Sequence, residues 1–272
     1  MIREEQGLAL LRLAESAALL AGQSLKHRRT DWQSLRESSQ HDVKIDADRR
    51  SEELLVERLE SGSSIRIFSE ESGRIGNNRE AWKDEKESDL QWIIDPLDGS
   101  LNYHQGIPFS CVSIALYEGK NPILGVVYDF NQSELFTGLV GVGAWLNHTL
   151  IKPSQVDEIS VAILGTGFPV NTDFSSQSLS RFIGQIQRFR KVRLLGSAAL
   201  SLCYVACGRF DAYQEENIMF WDVAAGCALV QASGGEVQIE NFRDPEAPLT
   251  VTATNGKLKI NLVNSLPLPL KD

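Results

Sequence analysis

Several carboxylates and one hydroxyl stand at spacings suited to holding divalent cations. The stretch Trp92-Ile93-Ile94-Asp95-Pro96-Leu97-Asp98-Gly99-Ser100 delivers Asp95 at the end of a mostly apolar strand, turns at the proline and returns with Asp98. Two carboxylates in so tight a turn repel each other unless a cation sits between them. Hard divalent cations want oxygen ligands, and the turn offers Asp95, Asp98 and the Leu97 carbonyl. Gly99 permits close backbone approach, the amides of Gly99 and Ser100 can meet a phosphate oxygen, and Ser100 adds a hydroxyl. Asp95-Pro96 and Asp98-Gly99 are equally good turn formers on a surface loop, so this stretch alone decides nothing. Two further features add weight. Glu70 and Glu71 follow a buried strand directly, where a solvated acidic pair is unexpected. Asp222 opens a mostly apolar helix after Met219-Phe220-Trp221. That is a helix-capping position, and the helix amides can keep the carboxylate charged while its free oxygen binds metal.

These groups need elements to position them. Residues 6 to 27 carry Leu8, Leu11, Ala14, Ala18 and Leu25 at three- and four-residue spacing, which predicts an amphipathic helix. Residues 30 to 42 are polar without periodicity and read as a mobile loop. A helix is expected from Arg49 to Glu60, a strand from Ile65 to Phe68, and a solvated loop from Arg74 to Asp89. Leu90 to Ile94 reads as a strand stopped by Pro96. Cys111 to Tyr117, Ile123 to Tyr128 and Glu134 to Leu139 read as an antiparallel sheet, with a hairpin turn at Glu118-Gly119-Lys120-Asn121. Beyond Pro153 the expected elements are a strand at Val161 to Leu164 and a helix at 175 to 190 with Phe182, Ile186 and Phe189 on one side. A helix from Ser197 to Cys207, strand character at Phe210 to Tyr213, and a long helix from Trp221-Asp222 to Gly234-Gly235 follow. Strands and helices mix without a strict βαβ rhythm, which predicts an α+β fold with helices layered between two sheets. Residues 1–150 and 151–272 form the two expected halves, packed as one unit.

The bulk numbers exclude other classes. The 272 residues, 42% hydrophobic and 23% charged, suit an ordinary globular protein. No apolar run approaches the roughly 18–20 residues of a membrane span, and Met1 to Glu5 carry no secretory signal, so a cytoplasmic protein is expected. Cys111, Cys203, Cys207 and Cys227 make no zinc pattern and read as small buried thiols. A formal charge of -9 argues against nucleic acid as the main ligand and against an anionic membrane. The same charge would repel a phosphate ester unless cations are held at the site.

Taken together, Ser69-Glu70-Glu71-Ser72, Asp95-Pro96-Leu97-Asp98-Gly99-Ser100 and Trp221-Asp222 followed by a small-residue helix ending at Gly234-Gly235 resemble the inositol monophosphatase family. The resemblance runs from about residue 8 to 255. It implies a layered α-β-α-β-α sandwich and a metal-dependent, lithium-sensitive phosphatase using two or three Mg2+ ions, with Mn2+ as a substitute. By the same resemblance, Glu70, Asp95 and the Leu97 carbonyl hold the first ion, and Asp95, Asp98 and Asp222 the second. Asp48 bonds the Ser100 hydroxyl, which with Glu70 activates the attacking water. Substrate contacts fall to Gly99, Ser100, Gly196, Ser197, Ala198, Glu215 and Asp222, and a homodimer is the family's usual state.

Ser100-Leu101-Asn102-Tyr103 resembles the inositol branch, and Glu215 stands where that branch reads polyol hydroxyls, so inositol monophosphate is the expected substrate. Glu215-Glu216 also suits a solvated loop. Met219 departs from the histidine often found three residues before the aspartate, and a thioether donates no hydrogen bond. His104 reads as a surface residue. The alternatives are a fructose-1,6-bisphosphatase or 3'(2'),5'-bisphosphate nucleotidase, for which Arg181, Arg188, Arg190, Lys191 and Arg193 offer charges, or a non-catalytic binding protein.

Overall fold

Along the strand Cys111–Glu118, alternate residues enter different cores. Cys111, Ala115 and Tyr117 face one apolar cluster, whereas Val112, Ile114 and Leu116 face another. A strand sends successive side chains to opposite faces, so a sheet covered on both sides reads as one continuous apolar run. The computed structural model of the chain describes residues 3–32, 35–38, 43–75, 89–168 and 174–260.

In chain order the elements are α1 (Glu4–His27), α2 (Arg29–Trp32), β1 (Leu35–Ser38), β2 (Val43–Ile45), α3 (Asp46–Gly62), β3 (Arg66–Ser69), β4 (Gly73–Ile75) and β5 (Leu90–Asp98). Next come α4 (Ser100–Gln105), β6 (Cys111–Glu118), β7 (Asn121–Asp129), β8 (Glu134–Leu139), β9 (Gly143–Leu146) and β10 (Thr149–Leu150). The remainder comprises β11 (Ile163–Gly165), α5 (Ser176–Ile186), β12 (Lys191–Arg193), α6 (Ala198–Ala206), β13 (Ala212–Ile218), α7 (Phe220–Ser233), β14 (Glu236–Glu240) and β15 (Leu249–Thr254).

An eight-stranded sheet runs β10-β9-β8-β7-β6-β5-β3-β4, and a five-stranded sheet runs β12-β11-β13-β15-β14. Helices α1 and α3 cover one face of the larger sheet, where Ala14, Ala18, Leu25, Leu55 and Leu59 meet Trp92, Ile94 and Val126. Helices α6 and α7 lie between the sheets, packing Leu200, Cys203, Val223 and Leu229 with Phe68, Ile93, Tyr213 and Val251. Each large side chain sealed in these cores contributes about 1.5–3 kcal/mol. A third cluster joins Ile186 of α5 to Leu164 and Ala212 of the smaller sheet. The fold is the expected mixed α+β sandwich.

Close approach fixes α7. A Cβ at Gly125 would stand 2.3 Å from the Ala225 carbonyl oxygen, so the helix backbone rests directly on β7. Helix α1 is long and apolar enough to cross a bilayer by length and composition, with mean hydropathy 1.2, against the expectation that no run approaches a span. Ala14, Ala17, Ala18, Ala21 and Leu25 are fully buried under the larger sheet, which is how a core helix acquires that composition.

Other expectations need revision. Strand β5 continues past Pro96 to Asp98, and its register with β6 shifts between Asp95 and Asp98. The bulge absorbs the missing proline N–H, so the strand need not stop. Within the expected loop at 30–42 lie most of α2 and the strand β1, which pairs antiparallel with β2 just beyond it, while residues 33–34 and 39–42 lie outside the described residues. The pair satisfies its backbone groups mutually without any hydrophobic periodicity. Gly73–Ile75 forms an edge strand, and residues 76–88 of the expected loop at 74–89 lie outside the described residues. Near 160 a 3-10 turn at Ile159–Val161 precedes β11, so that strand starts later than expected. Helix α5 ends at Ile186, yet Phe189 is buried beyond it.

Candidate active site

The bulge in β5 aims two carboxylates from one turn. Asp95 is 1% and Asp98 7% exposed. The Leu97 amide donates to Asp95 Oδ1 at 3.0 Å. From the neighbouring parallel strand, Glu70 leaves the end of β3, its amide donating to the Ile94 carbonyl at 3.2 Å. Asp222 comes from the first turn of α7, where its Oδ2 accepts from the Met219 amide at 3.2 Å. Ligand atoms of Glu70, Asp95 and Asp222 all lie within 4.8 Å of one another.

Three carboxylates so close resist being charged together. Burial, and then the charges of Glu70, Asp98 and Asp222, push the Asp95 carboxyl well above its usual range. Asp222 is raised the same way, by burial first and then by Glu70, Asp98 and Glu215. The donor set is all oxygen, geometrically convergent and short of positive charge, which fits hard divalent cations.

Asp98 is held differently. Its Oδ2 accepts from the Ser197 hydroxyl at 2.5 Å, from the Ala199 amide at 2.8 Å and from the Cys111 thiol at 3.7 Å. Burial raises its carboxyl to about 6, and those donors, with the Ala198 amide, oppose the rise. Ser197 also caps α6 by accepting from the Leu200 amide at 3.2 Å, so one hydroxyl starts the helix and anchors the carboxylate.

Asp48 sits at the start of α3. Its Oδ2 accepts from the Ile45 amide at 2.7 Å, and its Oδ1 lies 2.7 Å from Ser100 Oγ. Ser100 Oγ is also 2.8 Å from the Leu97 carbonyl. A hydroxyl has one proton, so donation to Asp48 leaves the Leu97 carbonyl available to a cation.

The remaining expected contacts converge. Gly99 has φ +84°, and a Cβ there would meet the carbonyl oxygens of Phe109 at 2.9 Å and Gly196 at 3.1 Å. Gly196, Ser197 and Ala198 therefore lie directly beside the Gly99-Ser100 turn. Asn102 fastens this junction, its Nδ2 donating to the carbonyls of Phe109 and Leu195, each at 2.8 Å. Glu215 lies on β13 and is 8% exposed; Glu216 is exposed but lies on the same strand, so the solvated-loop alternative holds for neither. Burial drives the Glu215 carboxyl up to about 7, with the Tyr213 hydroxyl opposing as it donates at 2.7 Å. Gly167 makes room, since a Cβ there would stand 2.5 Å from a Glu215 oxygen. His104 is half-buried on α4.

Residues missed from the sequence support the site from behind. The Ser51 hydroxyl donates to the Pro96 carbonyl at 2.7 Å, and Glu52 accepts from Ser72. Spaced with Asp48 at i, i+3 and i+4, they share one helix face, a signal present but indistinguishable from a solvated polar stripe.

A convergent all-oxygen carboxylate cluster at the end of a bulged strand, in an α+β sandwich, is an arrangement that suits a metal-dependent phosphatase. The sequence pattern of the inositol monophosphatase family matches residues 8–261. The chain is 36% identical to inositol monophosphatase 2 of Solanum lycopersicum over 266 residues, 93% of this chain and 96% of the relative. It is 39% identical over 214 residues to the Nus factor SuhB of Xylella fastidiosa, covering 78% and 74%. The solved inositol monophosphatase of an Anabaena (Nostoc) species superposes with TM-score 0.75 at 35% identity, covering 91% and 90%. The chain belongs to the inositol monophosphatase family, whose members are metal-dependent phosphatases.

Proposed function

We propose that the chain is a Mg2+-dependent phosphomonoesterase that hydrolyses inositol monophosphate to inositol and phosphate. The observation that carries the reading is the convergence of Glu70, Asp95 and Asp222 beside the Asp98 and Ser100 turn. Glu70, Asp95 and the Leu97 carbonyl would hold one ion; Asp95, Asp98 and Asp222 would hold another, with Glu70 touching a third. Bound Mg2+, or Mn2+ in its place, supplies charge neutralisation at the phosphate oxygens and acidification of a water.

The chain's own groups do the rest. Ser100 donates to Asp48, and its oxygen then accepts from the attacking water. Glu70 takes one proton of the water and orients its attack; as the new P–O bond forms the ester P–O bond breaks, and the leaving polyol oxygen takes its proton from solvent water. The amides of Gly99 and Ser100 meet a phosphate oxygen. Gly196, Ser197 and Ala198 flank the polyol ring, and Glu215, when ionised, accepts from its hydroxyls. Met219 supplies no donor to the leaving group, which favours activity on several phosphate esters.

A bisphosphate substrate is less well supported, because Arg181, Arg188, Arg190, Lys191 and Arg193 are all exposed, as charges that solvate α5 and β12 would be. A non-catalytic binding role would be expected to lose a metal carboxylate, and Glu70, Asp95, Asp98 and Asp222 are all present. The two halves, 1–150 and 151–272, would act as one packed unit. We place it in the cytoplasm as a homodimer, a reading supported by four free thiols and by the exposed apolar residues Leu101, Ile107 and Leu194 near the Asn102 junction.

The test is phosphate release with Mg2+ and with chelator, from inositol 1-phosphate, fructose 1,6-bisphosphate, histidinol phosphate and adenosine 3',5'-bisphosphate. Fast metal-dependent release from inositol 1-phosphate is expected. Preference for a bisphosphate would overturn the substrate, and release from none would overturn the activity.

A further inference from the structure

Glu52 is a carboxylate sealed to 6% exposure on α3. Among the described residues its oxygens meet only Ser72: Oε1 accepts from the amide at 3.1 Å and Oε2 from the hydroxyl at 2.6 Å. A buried carboxylate without a cation is expensive, and an apolar side chain would serve the core better. What the carboxylate achieves instead is to hold one turn, the one that carries Glu70 and Glu71 between β3 and β4.

That turn is held from two sides. The Glu70 amide bonds the Ile94 carbonyl of β5, and two residues on, Ser72 bonds Glu52 of α3. On the same face of α3, Ser51 holds the Pro96 carbonyl and Asp48 holds Ser100. One helix face therefore sets the spacing between three parts of the site: the hydroxyl, the Asp95–Asp98 bulge and the Glu70 turn. Glu70 needs this help, because its side chain is partly open to solvent and stands at a strand end beside like charges.

We propose that Glu52 is a positioning residue for Glu70, fixing the distance between Glu70 and Asp95 and hence the affinity for the divalent cation. The inference rests on the metal-dependent reading above. It makes Glu52 part of the cation machinery although it touches neither ion nor substrate.

The test compares Glu52→Leu, Glu52→Gln, Ser72→Ala, Glu70→Gln and the double variant Glu52→Leu/Glu70→Gln in the full chain. Mg2+ binding is measured by titration calorimetry, with thermal unfolding in chelator as the control. Glu52→Leu is expected to weaken Mg2+ binding about 10–100-fold. Glu52→Gln should recover most of it, because its amide oxygen still accepts from the Ser72 amide and its NH2 donates to the hydroxyl. The double variant should bind no more weakly than Glu70→Gln alone. Ser72→Ala changes only an exposed side chain, so it remains informative if Glu52→Leu does not fold, and a loss of about 3–10-fold is expected. Unchanged Mg2+ affinity in Ser72→Ala and Glu52→Leu would overturn the proposal. So would multiplicative effects of Glu52→Leu and Glu70→Gln, or a stability loss with affinity intact. If the unsubstituted chain binds no Mg2+ and releases no phosphate, the metal-dependent reading fails first, a result that none of the variant comparisons can mimic.

Discussion

Asp95 and Asp98 leave one strand three residues apart, yet the protein treats their charges in opposite ways. Around Asp98 the chain supplies the answer itself, with a hydroxyl, an α6 amide and a thiol on one oxygen. Around Asp95 it supplies one amide and two more carboxylates, Glu70 and Asp222. Asp98 has one oxygen tied to the fold by protein donors, which leaves the other for the proposed ion; Asp95 has few protein donors, so its charge suits a cation. Side-chain type does not separate the two roles. What separates them is which oxygens the backbone has already claimed.

The largest expected effect is at Asp95. Asp95→Asn should lower Mg2+-dependent phosphate release about 1,000-fold, while the metal-free protein melts at a higher temperature because repulsion with Glu70 and Asp222 is relieved. Near-normal turnover would erase the distinction between the two aspartates. Ser100→Ala should cost about 100-fold in kcat with Mg2+ affinity retained, as read by steady-state kinetics and calorimetry, since the hydroxyl aims water and the Leu97 carbonyl remains. Equal loss of Mg2+ binding would show the hydroxyl to be a ligand instead.

Ser197→Ala addresses the other aspartate. It strips Asp98 of its shortest donor and α6 of its cap, and should destabilise the protein by about 1.5–3 kcal/mol in urea unfolding, with or without Mg2+. A loss seen only with Mg2+ would show that these donors serve the ion site rather than the fold. The smallest effect concerns Glu215. Its carboxyl titrates near 7 in the folded state against 4.5 ordinarily, so folding favours the neutral form. The stability this provides is fully present below about pH 4.5 and is lost as pH rises through about 7. In chelator, Glu215→Gln should therefore be more stable than the parent by about 1–2 kcal/mol near pH 8 and indistinguishable near pH 4, as thermal melts would record.

The parts of the site that sequence reading reaches are those that break a local rule. Acidic residues after an apolar strand, or two aspartates around a proline, look out of place and so attract attention. Asp48 is placed through the resemblance alone, because an aspartate at a helix start looks like an ordinary cap. Ser51 and Glu52 stay hidden for the complementary reason: each is a polar residue where polar residues are common, and only the fold turns it inward. Asn102 is noticed only as part of the motif, and its role at the Phe109–Leu195 junction is visible only in the structure. In the fold, apolar alternation locates β6 to β8 and the long helices. It misses β14, whose burial alternates with exposed Glu236, Gln238 and Glu240, because that pattern also suits a solvated segment. It also misplaces the end of β5, where a bulge lets the strand outlast its proline.

The rigid seating of α7 on Gly125 has a consequence for biosynthesis. Asp222 rides on that helix, near the far end of a chain whose other acidic partners, Glu70 and Asp95, emerge much earlier. Asp95 and Asp222 stand 127 positions apart, so the Glu70–Asp95 pair is made well before its third member. With the ligand set proposed above, the full carboxylate group exists only once α7 has docked, which would make ion uptake a late event and a read-out of finished folding.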